Sequence, residues 1–119
     1  MADMQTYSGS CHCGRVRYEV ATALSPVLSC NCSICQKRGY LLTFVPQAAF
    51  KLISGENDLT DYLFNRKAVH HLFCKTCGIG AFGTGTGPNQ EEMVAVNVRC
   101  LDNVDIDALT VTPFDGKRL

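Results

Sequence analysis

Seven of the eight cysteines in this 119-residue chain fall into three short groups. Cys11 and Cys13 lie in CHC, Cys30, Cys32 and Cys35 in CNCSIC, and Cys74 and Cys77 in CKTC, while Cys100 stands alone. A bridge between cysteines two apart would be strained, because disulfides demand a particular Cα separation and direction. Thiolates two or three residues apart chelate one ion without that constraint. The opening MADMQTYSGS has neither a basic nor an apolar leader-like segment, so the expected compartment is the reducing cytoplasm, where clustered thiols signal metal ligation more than disulfides.

Both CHCG and CKTCG place a glycine directly after their second cysteine, Gly14 and Gly78. In a metal knuckle that glycine allows a tight turn with positive φ and lets backbone N–H groups approach sulfur. Two knuckles supply four thiolates, enough for one closed tetrahedral zinc. Closing the chain between Cys13 and Cys74 costs roughly 3.6 kcal/mol by the logarithmic loop estimate, against a structural zinc contribution on the order of 10 kcal/mol.

CNCSIC then offers three sulfurs with no partner knuckle. Three protein ligands plus an open position is the arrangement of a catalytic zinc. The plainer alternative is that two of these sulfurs pair with a knuckle and the third is spare. Inside the chain His12, His70, His71 or Cys100 could supply a fourth ligand and close the site, although Cys100 at the end of MVAVNVRC reads most simply as a small buried hydrophobe. Three thiolates donate strongly to the metal and blunt its Lewis acidity, so it suits a soft anionic fourth ligand such as a substrate thiolate better than hydroxide. Lys37 and Arg38 follow directly and could soften the negative charge of the site or hold a substrate carboxylate; as a solvated turn they would do neither.

The elements that must position these groups read as strands. RVRYEV (15–20), YLLTFV (40–45), FKLI (50–53), LTDYLF (59–64), VHHLF (69–73) and MVAVNV (93–98) are short, rich in Val and aromatics, and separated by Gly, Pro, Asn and Ser. Helix is predicted only as single turns in SICQKRG, PQAAF and LDNVDIDAL. The expected fold is mostly β: one small domain over residues 1–119, built as curved antiparallel sheets with little helix. GIGAFG (78–83) matches the G-x-G-x-x-G dinucleotide pattern, but TGTGPN follows it and no helix can start there, so it reads as a mobile loop after a knuckle.

Composition narrows the partners. Lys and Arg number 11 against 11 Asp and Glu, so no nucleic-acid surface is written into the charge. Nowhere do enough apolar residues run together to span a membrane. Exposed sheet edges leave room for a dimer, which nothing in the pattern demands.

GSCHCGRVRYEV, CNCSICQKRG and FCKTCG, in that order, together with the later NVRCLDNVDIDAL, resemble the glutathione-dependent formaldehyde-activating enzyme family, which is shared with centromere protein V. The resemblance covers about residues 7–116. It implies a tent-like, all-β zinc fold with two zinc ions per chain. It further implies that Cys11, Cys13, Cys74 and Cys77 hold a structural zinc, and that Cys30, Cys32 and Cys35 hold a catalytic one. The activity implied is that of a carbon–sulfur lyase of the S-(hydroxymethyl)glutathione synthase type, whose substrates are a small thiol and an aldehyde. The competing readings are a binding module in which both zincs are structural and a handler of labile zinc at CNCSIC. A fourth protein ligand on the second site would favour the module.

Overall fold

The computed structural model describes residues 4–63, 69–87 and 90–115. In chain order the elements are β1 (Gln5–Ser10), β2 (Arg17–Thr22), β3 (Val27–Cys30), α1 (Ser33–Arg38), β4 (Leu42–Pro46), β5 (Phe50–Ser54), β6 (Leu59–Tyr62), β7 (His71–Cys74), β8 (Phe82–Thr86), β9 (Glu92–Asn97) and β10 (Val111–Phe114). Single 3₁₀ turns sit at Gln47–Ala49, Glu56–Asp58, Val98–Cys100 and Ile106–Ala108.

These strands form a three-stranded sheet in the order β1-β2-β5, a five-stranded sheet in the order β10-β3-β4-β9-β8, and the β6-β7 pair. The fold is mostly β, as expected. Alternation explains the first sheet: in RYEVAT, Tyr18, Val20 and Thr22 are buried while Arg17 and Glu19 are exposed, so one face of β2 turns to the core. β9 does the same with Val94 and Val96.

The core lies where the two larger sheets meet. Tyr18 of β2 stacks on Phe50 of β5 at 5.0 Å between ring centroids, and Phe50 meets Phe82 of β8 at 4.7 Å. Such offset and tilted pairs add roughly 0.5–1.5 kcal/mol beyond area burial. Tyr18 Oη donates to the Ala81 carbonyl at 3.3 Å, so the one polar atom of this cluster is satisfied. Burial raises the Tyr18 pKa, with smaller contributions from Cys100 and Asp102, and the phenol keeps its proton.

Strand boundaries depart from the sequence pattern where the metal-type turns intervene. Strand RVRYEV begins late, at Arg17, because Cys11 N–H donates to the Val16 carbonyl at 3.0 Å and draws Arg15 and Val16 into the turn. MVAVNV ends early: Val98 starts a 3₁₀ turn capped by Asn97, whose side chain accepts from Arg99 N–H at 3.1 Å. LTDYLF forms β6 as far as Tyr62, and its last residue, Phe64, lies outside the described residues, as do Met1, Ala2, Asp3, Pro88, Asn89 and the last four residues of the chain. The three predicted helical turns all appear, as α1 and the 3₁₀ turns at Gln47–Ala49 and Ile106–Ala108.

Strands β1 and β3 fall outside the predicted segments, and two further features differ from the expectation. The segment after the second knuckle is not simply a loop: FGTGT forms β8 and pairs antiparallel with β9. Its glycines answer to crowding. A side chain at Gly83 would meet the His70 carbonyl oxygen at 2.8 Å, because His70 and Thr84 exchange backbone hydrogen bonds of 2.8 and 3.0 Å across that point. The other difference is β10, which pairs parallel to β3 in register Val111↔Val27 through Phe114↔Cys30, whereas the other described strand pairs are antiparallel.

Candidate metal centres and the adjoining cavity

CHC turns between β1 and β2, and CKTC begins at the last residue of β7, so the four-cysteine group joins the first sheet to the β6-β7 pair. Its sulfurs all lie within 4.8 Å of one another. Cys11 and Cys13 Sγ are 3.6 Å apart and Cys13 and Cys74 Sγ 3.7 Å. A tetrahedron of thiolates around zinc at 2.3 Å has edges of about 3.8 Å, so the donor set fits that ion. Both knuckle glycines have the expected conformation: Gly14 and Gly78 each sit at φ 82°, with N–H groups donating to the carbonyls of Cys11 at 3.3 Å and Cys74 at 2.8 Å. Val16 N–H also points to Cys11 Sγ at 3.4 Å.

The electrostatics of this group call for a cation. Against the effect of burial, the N–H groups of Cys13 and Ile79 and the thiols of Cys11 and Cys74 bring Cys77 down to about 6. Cys13 goes the other way: despite the Arg15 N–H, burial and its three sulfur neighbours push it to about 11. Four thiols this close cannot all ionise by themselves, since each thiolate raises the cost of the next. A divalent ion removes that conflict.

The three-cysteine group is assembled by a strand end and one helical turn. Cys30 closes β3, Cys32 is the residue before α1, and Cys35 lies in its first turn. Helical spacing places Cys32 and Cys35 on one side, and the three sulfurs lie within 4.8 Å of one another. Cys32 N–H points to Cys30 Sγ at 3.5 Å. Burial pulls Cys32 upward but is outweighed by the N–H groups of Cys35 and Ile34 and by the two neighbouring thiols, so its pKa is lowered. Cys35, more deeply buried, is raised by burial and then by Cys32 and Cys30. The parallel strand anchors this turn: Asn31 N–H donates to the Phe114 carbonyl at 3.1 Å, and Asn31 Nδ2 to Asp115 Oδ1 at 2.9 Å. Gly39, at φ 68°, stops α1 by donating to the Cys35 carbonyl at 2.9 Å.

Among the described residues, no histidine, carboxylate or further cysteine joins either group. The three-thiol group borders a cavity of about 160 Å³. Leu28, Leu42, Phe82, Ala95 and Phe114 form its apolar walls, and Cys30 and Cys35 are exposed to it. His71 and Tyr40 also reach its surface. Burial, followed by the charge of Arg38, lowers the His71 pKa, which favours the neutral imidazole. Tyr40 is raised by burial in spite of its hydrogen bond from Arg38.

The remaining sequence candidates separate. His70 turns to Asp61, with Nδ1 and Oδ2 2.5 Å apart, and His12 is exposed. Cys100 is half-buried and packs against the main core. Arg38 Nη1 donates to Tyr40 Oη at 2.7 Å, and its guanidinium lies 5.8 Å from the Tyr40 ring centroid and 5.4 Å from that of Phe73. Arg38 does not line the cavity itself, but Tyr40, which it holds, does. Lys37 is exposed and lines a separate shallow hollow with Ser33, Ile34, Arg38 and Tyr62. The cavity walls themselves carried no signal in the sequence, since they come from strands far apart in the chain.

Comparison with known proteins finds a protein family and a similar solved structure. The family model described as glutathione-dependent formaldehyde-activating enzyme matches residues 6–113. The crystal structure of a Rhodobacter sphaeroides protein is similar, with a TM-score of 0.79 and 31% sequence identity, over 89% of this chain and 97% of that one.

Proposed function

Because the chain belongs to the glutathione-dependent formaldehyde-activating enzyme family, we propose that it is a zinc-dependent carbon–sulfur lyase of the S-(hydroxymethyl)glutathione synthase type, joining a small thiol such as glutathione to formaldehyde or a related aldehyde. The observation that carries this reading is the three-thiol group without a fourth protein donor among the described residues, open to a cavity. In this reading Cys11, Cys13, Cys74 and Cys77 hold a structural zinc, and Cys30, Cys32 and Cys35 hold the catalytic one. Bound there, zinc would supply the Lewis acidity that keeps a substrate thiol ionised near neutral pH.

The chain's own residues do the rest. The apolar walls limit the water around the aldehyde, which slows its hydration and strengthens charge interactions inside. Walls on several sides also hold the aldehyde against the three thiols, and positioning alone can supply much of the rate. As the sulfur–carbon bond forms, the carbonyl π bond opens and its oxygen takes a proton, while the thiol has given one up. A neutral ring nitrogen of His71 is the group in the cavity suited to carry that proton from sulfur to oxygen. Lys37 and Arg38, both exposed in the last turn of α1, would meet a carboxylate of the thiol outside the cavity. No described helix is long and apolar enough to cross a membrane; a cytoplasmic setting, with its pool of reduced thiols, suits the reaction.

The test is aldehyde consumption by zinc-loaded protein as the thiol is titrated, measured against the spontaneous rate. Acceleration that disappears in Cys35→Ser is expected. No acceleration with any thiol would remove the activity, and a normal rate in Cys35→Ser would remove this mechanism.

A further inference from the structure

The cavity beside the three-thiol group is built for something larger and more apolar than formaldehyde. Its volume is about 160 Å³; an apolar protein cavity of about 150 Å³ is large enough to accept a benzene molecule. Formaldehyde, with one carbon, would leave most of that space empty.

The chemistry of the walls points the same way. Among the described lining residues none is acidic, Lys or Arg, and the polar atoms are largely engaged. Asn97 donates through Nδ2 to the Gly80 carbonyl at 2.9 Å and accepts at Oδ1 from Arg99 N–H at 3.1 Å. Tyr40 Oη accepts from Arg38. A thiol bearing carboxylates and an ammonium group cannot leave those charges unpaired inside such a space. They stay at the surface, and what enters is uncharged.

We infer that the aldehyde partner of this chain carries a compact apolar group the size of a six-membered carbon ring, which fills the cavity while its carbonyl carbon faces Cys30 and Cys35. This rests on the lyase reading above and names the substrate class for the same site. The bond changes are unchanged: thiol sulfur adds to the carbonyl carbon, the carbonyl π bond opens, and the proton lost from sulfur ends on the new hydroxyl.

The experiment has two arms on zinc-loaded protein. In the first, cyclohexylmethanol, an unreactive probe of the same shape, is titrated into isotopically labelled protein and amide shifts are followed; shifts centred on Leu42, Phe82 and Ala95 are expected. In the second, exchange NMR measures thiohemiacetal formation from glutathione with cyclohexanecarbaldehyde and with formaldehyde, each as a ratio to its spontaneous rate. The ring aldehyde should show at least an about tenfold larger acceleration, in line with what apolar pocket contacts discriminate. Ala95→Phe and Leu28→Phe, on two different strands, should each abolish the probe shifts and that preference while zinc content shows the variant folded. Preferential acceleration of formaldehyde with no probe shifts would overturn the inference and leave the lyase reading intact. Probe binding without acceleration of either aldehyde would instead overturn the lyase reading, and the substrate assignment with it.

Discussion

Cys32 shows how much a single sulfur decides. It is flanked by Cys30 and Cys35 within 4.8 Å, and replacing it leaves two thiols, too few to hold zinc firmly. Metal content per chain, read by elemental analysis, should fall from about two in wild type to about one in Cys32→Ser, because the four-thiol group is independent of it. A count that stays at the wild-type value would show that CNCSIC holds no metal. His71 gives a second residue-scale expectation. Its pKa is depressed, first by burial and then by Arg38, so the unfolded chain takes up a proton before the folded one does as pH falls. The stability due to the neutral ring is present above the ordinary histidine value of about 6.5 and is lost as pH drops through and below it. Subtracting the thermal midpoints of His71→Gln from those of wild type should give a difference that shrinks from about pH 8 to about pH 5, and a difference that grows on acidification would contradict the assignment.

At the scale of elements, the knuckles are the parts most tightly specified by residue type. Gly78 has φ 82° and nothing within 4 Å of where a side chain would begin, so the whole cost of Gly78→Ala is conformational. Holding an L residue in that region costs about 1–2 kcal/mol, and asparagine tolerates it better. Denaturant midpoints taken with zinc in excess should place Gly78→Ala about 1 kcal/mol below wild type and Gly78→Asn between the two. β8 teaches the converse. Five glycines between 78 and 87 look like a loop because glycine is poor in strands. Tertiary crowding reverses that judgement, since the His70 backbone passes too close for a side chain at Gly83. The pairing of β10 with β3 was equally silent: VTPF shows no alternation of buried and exposed residues, and what holds it is the partner strand.

For the whole molecule, the four-thiol group is a clasp between sequence-distant parts, tying Cys13 to Cys74 across 61 residues. Structural zinc sites release on the order of 10 kcal/mol or more on binding, comparable to the entire stability of a typical domain. Stepwise chelation should therefore remove one metal from the cavity side with the β-sheet circular dichroism intact, and the second together with that signal; loss of both metals from a chain that stays folded would refute the clasp. Local residue patterns were enough for the mostly β class, the three cysteine groups and the glycines that shape the knuckles, because each depends on residues a few positions apart whose turn geometry is local. It took the packed fold to bring the two knuckles together into one four-thiol group, to run β10 parallel beside β3 where it steadies CNCSIC, to send His71 and not His70 to the three thiols' cavity, and to make that cavity apolar. Those properties arise where side chains from strands scattered along the chain converge, and no local pattern records which of them will meet.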